Sequence, residues 1–260
     1  MSRRFRLTVI ALLLTACTTS PTNRRQVILY SDQQMEQRGI EAYDQMRVEV
    51  PVSGNIRQAR FVQCVTNSIV NALPDPERSR YEWEVTLFDG EQANAFALPG
   101  GKMGVYAGLL GIAENQHQLA TVMAHEISHV LANHSNERAS QSALRSAGLV
   151  AAQILGASES TLNALDTASQ LGLFLPFNRT QESEADSLGL NLMARAGFDP
   201  TESIVLWVNM SSDGGARPPE FFSTHPSPDT RIRDLRAGME YALNLRATAN
   251  SQGISPDCLP

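Results

Sequence analysis

His125 and His129 stand four residues apart in a stretch, Gln118–Asn133, whose pattern predicts a helix. On a helix that spacing puts both imidazoles on one face, one turn above the other. Glu126 follows the first of them, so the segment His125-Glu126-Ile127-Ser128-His129 reads H-E-x-x-H. Two imidazoles placed this way can share one zinc ion, and the carboxylate one residue along can reach a water beside it as general base. The surroundings narrow the alternatives. Ala120, Val122, Met123, Ala124, Ile127 and Val130 make most of the helix circumference apolar, so the segment has to be buried. A Glu and two His buried there need partners or a metal, because an unpaired buried charge is costly. The pattern points to metal-dependent hydrolysis.

A catalytic zinc site takes three protein ligands and keeps a fourth position for water. The third must come from elsewhere, and Glu182-Ser183-Glu184-Ala185-Asp186 offers it. This segment opens a predicted helix that packs through Ala185, Leu188, Leu192 and Met193. Glu182 and Asp186 share a face at i, i+4. One carboxylate can bind the metal while the other accepts the free N–H of a ligand His. The same residues also suit a helix N-terminus, where acids face the helix dipole, and spacing alone leaves both readings open. No G-x-S-x-G pattern is present, so covalent serine catalysis has no support.

The rest of the chain predicts an α+β fold, mostly helical, with a small antiparallel sheet beside the H-E-x-x-H helix. Tyr81–Phe88 alternates apolar and polar residues as a half-buried strand does. Asn94–Ala97 and Lys102–Tyr106 extend the sheet, with Pro99-Gly100-Gly101 as the turn. Helices are expected near 31–48, 55–73, 136–174, 180–196, 200–211 and 227–246. The long 136–174 stretch lies between the two motifs and can cover a cleft. A Gly/Pro loop, 213–219, precedes His225-Pro226.

Four blocks together resemble the gluzincin metallopeptidase family that includes the CAAX prenyl protease, the heat-shock protease HtpX and the mitochondrial inner-membrane overlapping-activity peptidase. They are Asn94-Ala95-Phe96-Ala97-Leu98-Pro99-Gly100-Gly101 with the following Val105–Leu110, the H-E-x-x-H segment, the E-x-x-A-D of Glu182–Asp186, and His225-Pro226 with Arg231 six residues after the His. The likeness runs from about Tyr43 to Arg236 and is strongest with the soluble bacterial lipoprotein branch. It implies a zincin-like domain with one Zn²⁺ held by His125, His129 and Glu182. Glu126 is then the base and Asp186 the partner of a ligand His. His225 lies near the metal, as oxyanion donor or as an extra ligand that silences the resting enzyme, and Arg231 anchors that region. The resemblance also implies that peptide adds to an edge strand, placed at Asn94, Ala95, Phe96 and Ala97, where backbone pairing accepts any extended chain.

The first sixteen residues read as a targeting segment and not as fold. Arg3, Arg4 and Arg6 precede an apolar run, Leu7–Leu14, which ends in Leu14-Thr15-Ala16-Cys17, a pattern like the bacterial lipobox. Cleavage before Cys17 and its acylation would anchor the chain stably in lipid, and Thr18 in place of Asp favours the outer membrane. Residues 17–30 then read as a tether and 31–260 as the peptidase domain. Removing residues 1–16 takes three Arg and no acid away, so the formal charge moves from −6 to −9. An acidic surface without a Lys/Arg cluster argues against nucleic acid as partner. The two remaining cysteines, Cys64 and Cys258, are a disulfide candidate in an oxidising compartment.

The expected function is a periplasmic zinc endopeptidase that degrades misfolded or unassembled envelope proteins, with the envelope assembly machinery as a further partner. A chaperone or assembly lipoprotein with a latent or structural zinc site is the alternative, because His225 could close the fourth position. A zinc hydrolase of cell-wall peptide cross-links shares the chemistry but not the matching blocks.

Overall fold

Side-chain caps open several of the helices, the one carrying H-E-x-x-H among them. The computed structural model describes residues 17–154, 177–213, 220–226 and 230–260. The leader 1–16, the part of the 136–174 stretch from residue 155, the loop at 214–219 and the expected helix start at Ser227 lie outside the described residues. The chain begins with β1 (Cys17–Thr19) and β2 (Arg25–Val27). Ser31 and Gln34 form a capping box for α1 (Asp32–Glu49), and Asn55 caps α2 (Ile56–Asn71). A short α3 (Asp75–Arg80) leads to β3 (Glu84–Phe88), β4 (Ala95–Leu98) and β5 (Lys102–Tyr106). After a 3₁₀ turn, Asn115 caps α4 (Gln116–Leu131), the helix that carries H-E-x-x-H. Next come α5 (His134–Ile154), α6 (Arg179–Arg195), α7 (Glu202–Asp213), α8 (Phe221–Thr224) and α9 (Arg231–Ser251). The fold is α+β and mostly helical, as the sequence indicates.

The sheet expected to be antiparallel is mixed. β4 and β5 form the antiparallel hairpin, while β3 pairs with β5 in parallel, from Glu84–Lys102 to Phe88–Tyr106. The strand order β3-β5-β4 explains this. The chain leaving β3 turns through 89–94 and crosses beyond β5, which is then inserted between its neighbours. Gly100 and Gly101 make the hairpin turn at φ 89° and 77°, a region that side chains with a Cβ avoid. The strand expected from Tyr81 starts only at Glu84. Tyr81 and Trp83 pack edge to face at 5.6 Å, and the Trp83 indole N–H donates to the Arg78 carbonyl, so their alternation continues outside the ladder. Val52 bridges to Phe88 on the outer side of β3. β4 is the other edge, with no strand beyond it among the described residues.

α4 forms the centre of the core, buried from Gln118 to Val130. It lies against α2, α6, α7 and β4, and α9 covers the far side of α6. Gly189 sets the approach of α6 to α4. A Cβ there would stand 3.0 Å from the main-chain nitrogen of His125 and 3.1 Å from the Ala124 carbonyl carbon. Its absence lets the acidic face of α6 lie directly beside the first zinc-motif histidine.

Residues 17–30, read from the sequence as a tether, are docked on the domain. β1 and β2 pair antiparallel from Cys17–Val27 to Thr19–Arg25. The Leu29 N–H donates to Ser140 Oγ at 2.8 Å, and the Asn136 side chain donates to the Tyr30 carbonyl at 2.8 Å. At the other end Cys64 of α2 and Cys258 are joined by a disulfide with Cα atoms 5.7 Å apart, inside the ordinary range. No helix among the described residues is long and apolar enough to cross a membrane.

Candidate metal centre

Two helices and the C-terminal end of a third bring four donors to a single point. α4 supplies His125 Nε2 and His129 Nε2, 3.0 Å apart. α6 supplies Glu182, whose oxygens lie 3.3 Å from His125 Nε2 and 3.4 Å from His129 Nε2. His225, at the C-terminal end of α8, places Nδ1 3.1 Å from Glu182 Oε1 and 3.4 Å from His125 Nε2. All four residues are buried, and their donor atoms fall within 4.8 Å of one another. Donors about 2.0–2.1 Å from a tetrahedral zinc ion stand roughly 3.3 Å apart. The donor spacing therefore fits one such ion, and the donor set, three imidazoles and a carboxylate, suits zinc.

Carboxylates gather at the site around two buried guanidinium groups, with Arg138 acting electrostatically on Glu182 and Glu126. The Arg231 guanidinium donates to Asp186 Oδ2 at 2.6 Å and to Glu182 Oε2 at 2.8 Å. Asp186 Oδ1 also stands 2.9 Å from His125 Nδ1, off the line of an ideal hydrogen bond, so this is an ion contact more than a directed one. Burial alone would lower the His125 imidazole, yet Glu182 and Asp186 together push it up to about 10. Burial would likewise raise Glu182, but the histidines around it, His125 foremost, hold it far below the usual carboxylate range. The carboxylates that raise His125 would equally favour a bound dication. His129 is driven well below its ordinary value by burial, the neutral form a metal ligand needs.

Glu126 points across this cluster toward the sheet. Its Oε2 accepts from the Ala97 N–H at 3.1 Å, and its Oε1 has no hydrogen-bond partner, with His225 Nε2 at 3.4 Å. Burial pushes its carboxyl upward, toward the range a general base needs. The Asn94 carbonyl accepts from the Tyr106 N–H. The antiparallel alternation then turns the polar backbone groups of Ala95 and Ala97 outward from the edge. Of the expected edge residues, Ala97 thus meets the site directly. Asn94 bonds the Ala95 N–H through its side chain, and Phe96 packs against Phe88 and Tyr106. Cys17 opens β1, and the Cys64–Cys258 bridge serves α2 and the C-terminal tail.

Aromatic rings fill the remaining space. Phe177 stacks on His129 at 3.7 Å, Phe221 on His225 at 4.3 Å, and the Arg231 guanidinium lies 4.0 Å over Trp207. Sequence reasoning missed Phe177, and also missed a polar set behind His129. His134 Nδ1 is 2.8 Å from His129 Nδ1, and His134 Nε2 is 3.2 Å from Glu184 Oε2. Arg24, from the turn between β1 and β2, donates to Glu184 and to both oxygens of Glu137. The one available signal was a third histidine five residues after the motif.

Comparison with known proteins agrees with this geometry. Residues 57–238 match the model of Peptidase family M48. The chain is 38% identical over 175 residues to mitochondrial metalloendopeptidase OMA1 of Schizosaccharomyces pombe, covering 66% of this chain and 51% of that protein. It is 35% identical over 221 residues to mitochondrial metalloendopeptidase OMA1 of Bos taurus, covering 77% and 42%. With the beta-barrel assembly-enhancing protease of Yersinia pestis it shares 31% over 205 residues, covering 74% and 41%. The chain thus spans about half the length of the curated relatives it matches.

Proposed function

The chain belongs to peptidase family M48, and from that premise we propose that it is a zinc-dependent endopeptidase of unfolded protein segments. The observation that carries this reading is the convergence of His125, His129, Glu182 and the free oxygen of Glu126 beside β4, an edge strand with no strand beyond it among the described residues. A zinc ion held by the first three would supply Lewis acidity toward a peptide carbonyl and lower the pKa of a water. Glu126 takes a proton through Oε1 and returns it to the leaving amine. Asp186 and Arg231 fix His125 and Glu182 in place.

β4 is the proposed substrate rail. An extended chain laid along Ala95–Ala97 pairs by backbone alone, which selects for unfolded segments and not for side chains. In the resting chain the Ala97 N–H is occupied by Glu126. Pairing with substrate would claim that N–H and release the carboxylate for its role as base.

His225 is proposed as a resting fourth ligand that has to move for cleavage. Its Nδ1 lies 3.1 Å from Glu182 Oε1 and 3.4 Å from His125 Nε2, where it could serve as a fourth donor to the ion. The same observation favours a second reading, an assembly factor with a closed, structural zinc site.

For the cellular setting we propose an outer-membrane lipoprotein facing the periplasm. Residues 1–16 act as signal peptide, Cys17 as the acylated residue and 31–260 as the peptidase domain. Misfolded or unassembled envelope proteins are the proposed substrates. The lipobox-like segment, the disulfide and the relative named for beta-barrel assembly support this. Complementation tests it: Glu126→Gln should lose envelope function while keeping zinc and fold, and full function in that variant would favour the assembly factor.

A further inference from the structure

Asn133 ends α4 in the left-handed region at φ 54°, a conformation Asn tolerates better than other side-chain-bearing residues. The chain doubles back there, and α5 opens with His134 folded against the motif it has just left. The two Nδ1 atoms of His129 and His134 are 2.8 Å apart and buried. Such a contact needs one N–H and one lone pair. His129 Nε2 faces the metal donors, so its proton resides on Nδ1 and is donated to His134 Nδ1. The proton of His134 then resides on Nε2, which faces Glu184 Oε2 at 3.2 Å. Each imidazole is thus set by the next group along.

Glu184 is in turn fixed by the N-terminal hairpin. Arg24 Nε donates to Glu184 Oε2 at 2.7 Å, and the Thr22 hydroxyl bonds Glu184 Oε1. The two terminal nitrogens of Arg24 hold Glu137 as a fork, each at 2.7 Å, a geometry a lysine cannot reproduce. Gln181 donates to Glu137 at 2.8 Å, and Gln26 donates to the Ala132 carbonyl at 2.6 Å. The network thus spans α5, α6 and the end of α4.

We propose that Arg24 and His134 are positioning residues for the metal ligand His129, so that the hairpin at residues 17–27 is a working part of the metal centre. The proposal rests on the zinc-peptidase reading above. It places the segment directly after Cys17 in contact with the site through the chain Arg24, Glu184, His134, His129. Removing residues 17–30 to obtain a shorter domain would remove one end of that chain.

Zinc affinity by chelator competition tests it in the full chain purified in detergent. The variants are Arg24→Ala, Arg24→Lys, His134→Phe and His134→Asn, with exposed Arg25→Ala as control. Melting temperature and the ¹⁵N shifts of the His129 ring are read in parallel. Arg24→Ala and His134→Phe should weaken zinc binding by about 10–100-fold and shift the His129 tautomer signal. His134→Asn keeps an acceptor near the Nδ1 position and Arg24→Lys keeps the charge, so each should recover part of the loss. Arg25→Ala should match the unaltered chain. Zinc affinities within twofold of the unaltered chain, with or without a lower melting temperature, would overturn the proposal and leave the hairpin a clasp. If His134→Phe does not fold, His134→Asn and the Arg24 pair decide by the same criterion. An unaltered chain that binds no zinc would instead remove the metal-centre reading, and this proposal with it.

Discussion

Glu126 Oε2 accepts a hydrogen bond from the main-chain N–H of Ala97 at 3.1 Å. The contact joins the H-E-x-x-H helix to the edge strand β4, so the proposed base and the proposed substrate rail are linked before any substrate is present. Glu126→Gln keeps an acceptor for that N–H and loses only the basic oxygen. It should bind zinc like the unaltered chain, melt at the same temperature, and cleave about 10²–10⁴-fold more slowly. Steady-state cleavage of an unfolded substrate checks this, and retained cleavage would remove Glu126 from the chemistry.

His225→Ala should open the fourth corner of the donor set. Basal cleavage is expected to rise while zinc affinity falls, since three ligands hold the ion less tightly than four. Chelator competition and cleavage rate measured on one preparation separate the two effects. Slower cleavage with zinc affinity unchanged would assign His225 to oxyanion stabilisation in place of a resting ligand.

Gly189→Ala should be costly although the change is one methyl group. The added Cβ meets the backbone of α4 at about 3.0 Å near His125, and backbone in a packed core yields little. Overpacking of this kind costs about 1–3 kcal/mol. Because α6 carries Glu182 and Asp186, zinc affinity should fall along with stability. Denaturant unfolding with and without zinc reads both, and a neutral result would show that α6 shifts freely.

The motifs were legible because each lies within one helix. The 3.6-residue period fixes how His125 faces His129 and how Glu182 faces Asp186, so spacing alone conveys geometry. Arg231 and His225 became interpretable only through the likeness of four ordered blocks. The His134–Glu184–Arg24 network was not legible, since its partners lie 50 and 160 residues apart and meet by packing. Residues 17–30 read as a tether, and nothing local shows that Arg24 within it pairs with the buried Glu137 and Glu184. The parallel pairing of β3 was hidden for the same reason, because strand order is set by where the 89–94 crossing goes.

Acid should expose the role of Arg24 in stability. Against the opposing effect of burial, Arg24 and then Gln181 hold the Glu137 carboxyl below its ordinary range, and His134, Ser20, Thr22 and Arg24 together hold Glu184 below its own. A depressed carboxyl contributes stability that is fully present above its unfolded value, about 4.3, and is lost as pH falls through the folded value. The stability gap between the unaltered chain and Arg24→Ala should therefore be constant from about pH 8 to pH 5 and narrow below about pH 4. Thermal melts across that range check it, and a gap that widens in acid would contradict the assignment.

The Cys64–Cys258 bridge closes a loop of 194 residues. Replacing both cysteines by serine should cost about 2–4 kcal/mol and leave zinc affinity unchanged, because the bridge fastens α2 to the tail and not to the donor set. Urea unfolding under oxidising conditions, against the unaltered chain with and without reductant, measures it.

The most direct test of the central claim is cleavage of an unfolded outer-membrane protein by the purified full chain, with bound zinc counted in the same sample. One zinc per chain is predicted, with cleavage that is abolished by chelation, restored by zinc and nearly absent in Glu126→Gln. One zinc per chain with no cleavage by either the unaltered chain or His225→Ala would contradict the peptidase account and favour the closed-site assembly factor.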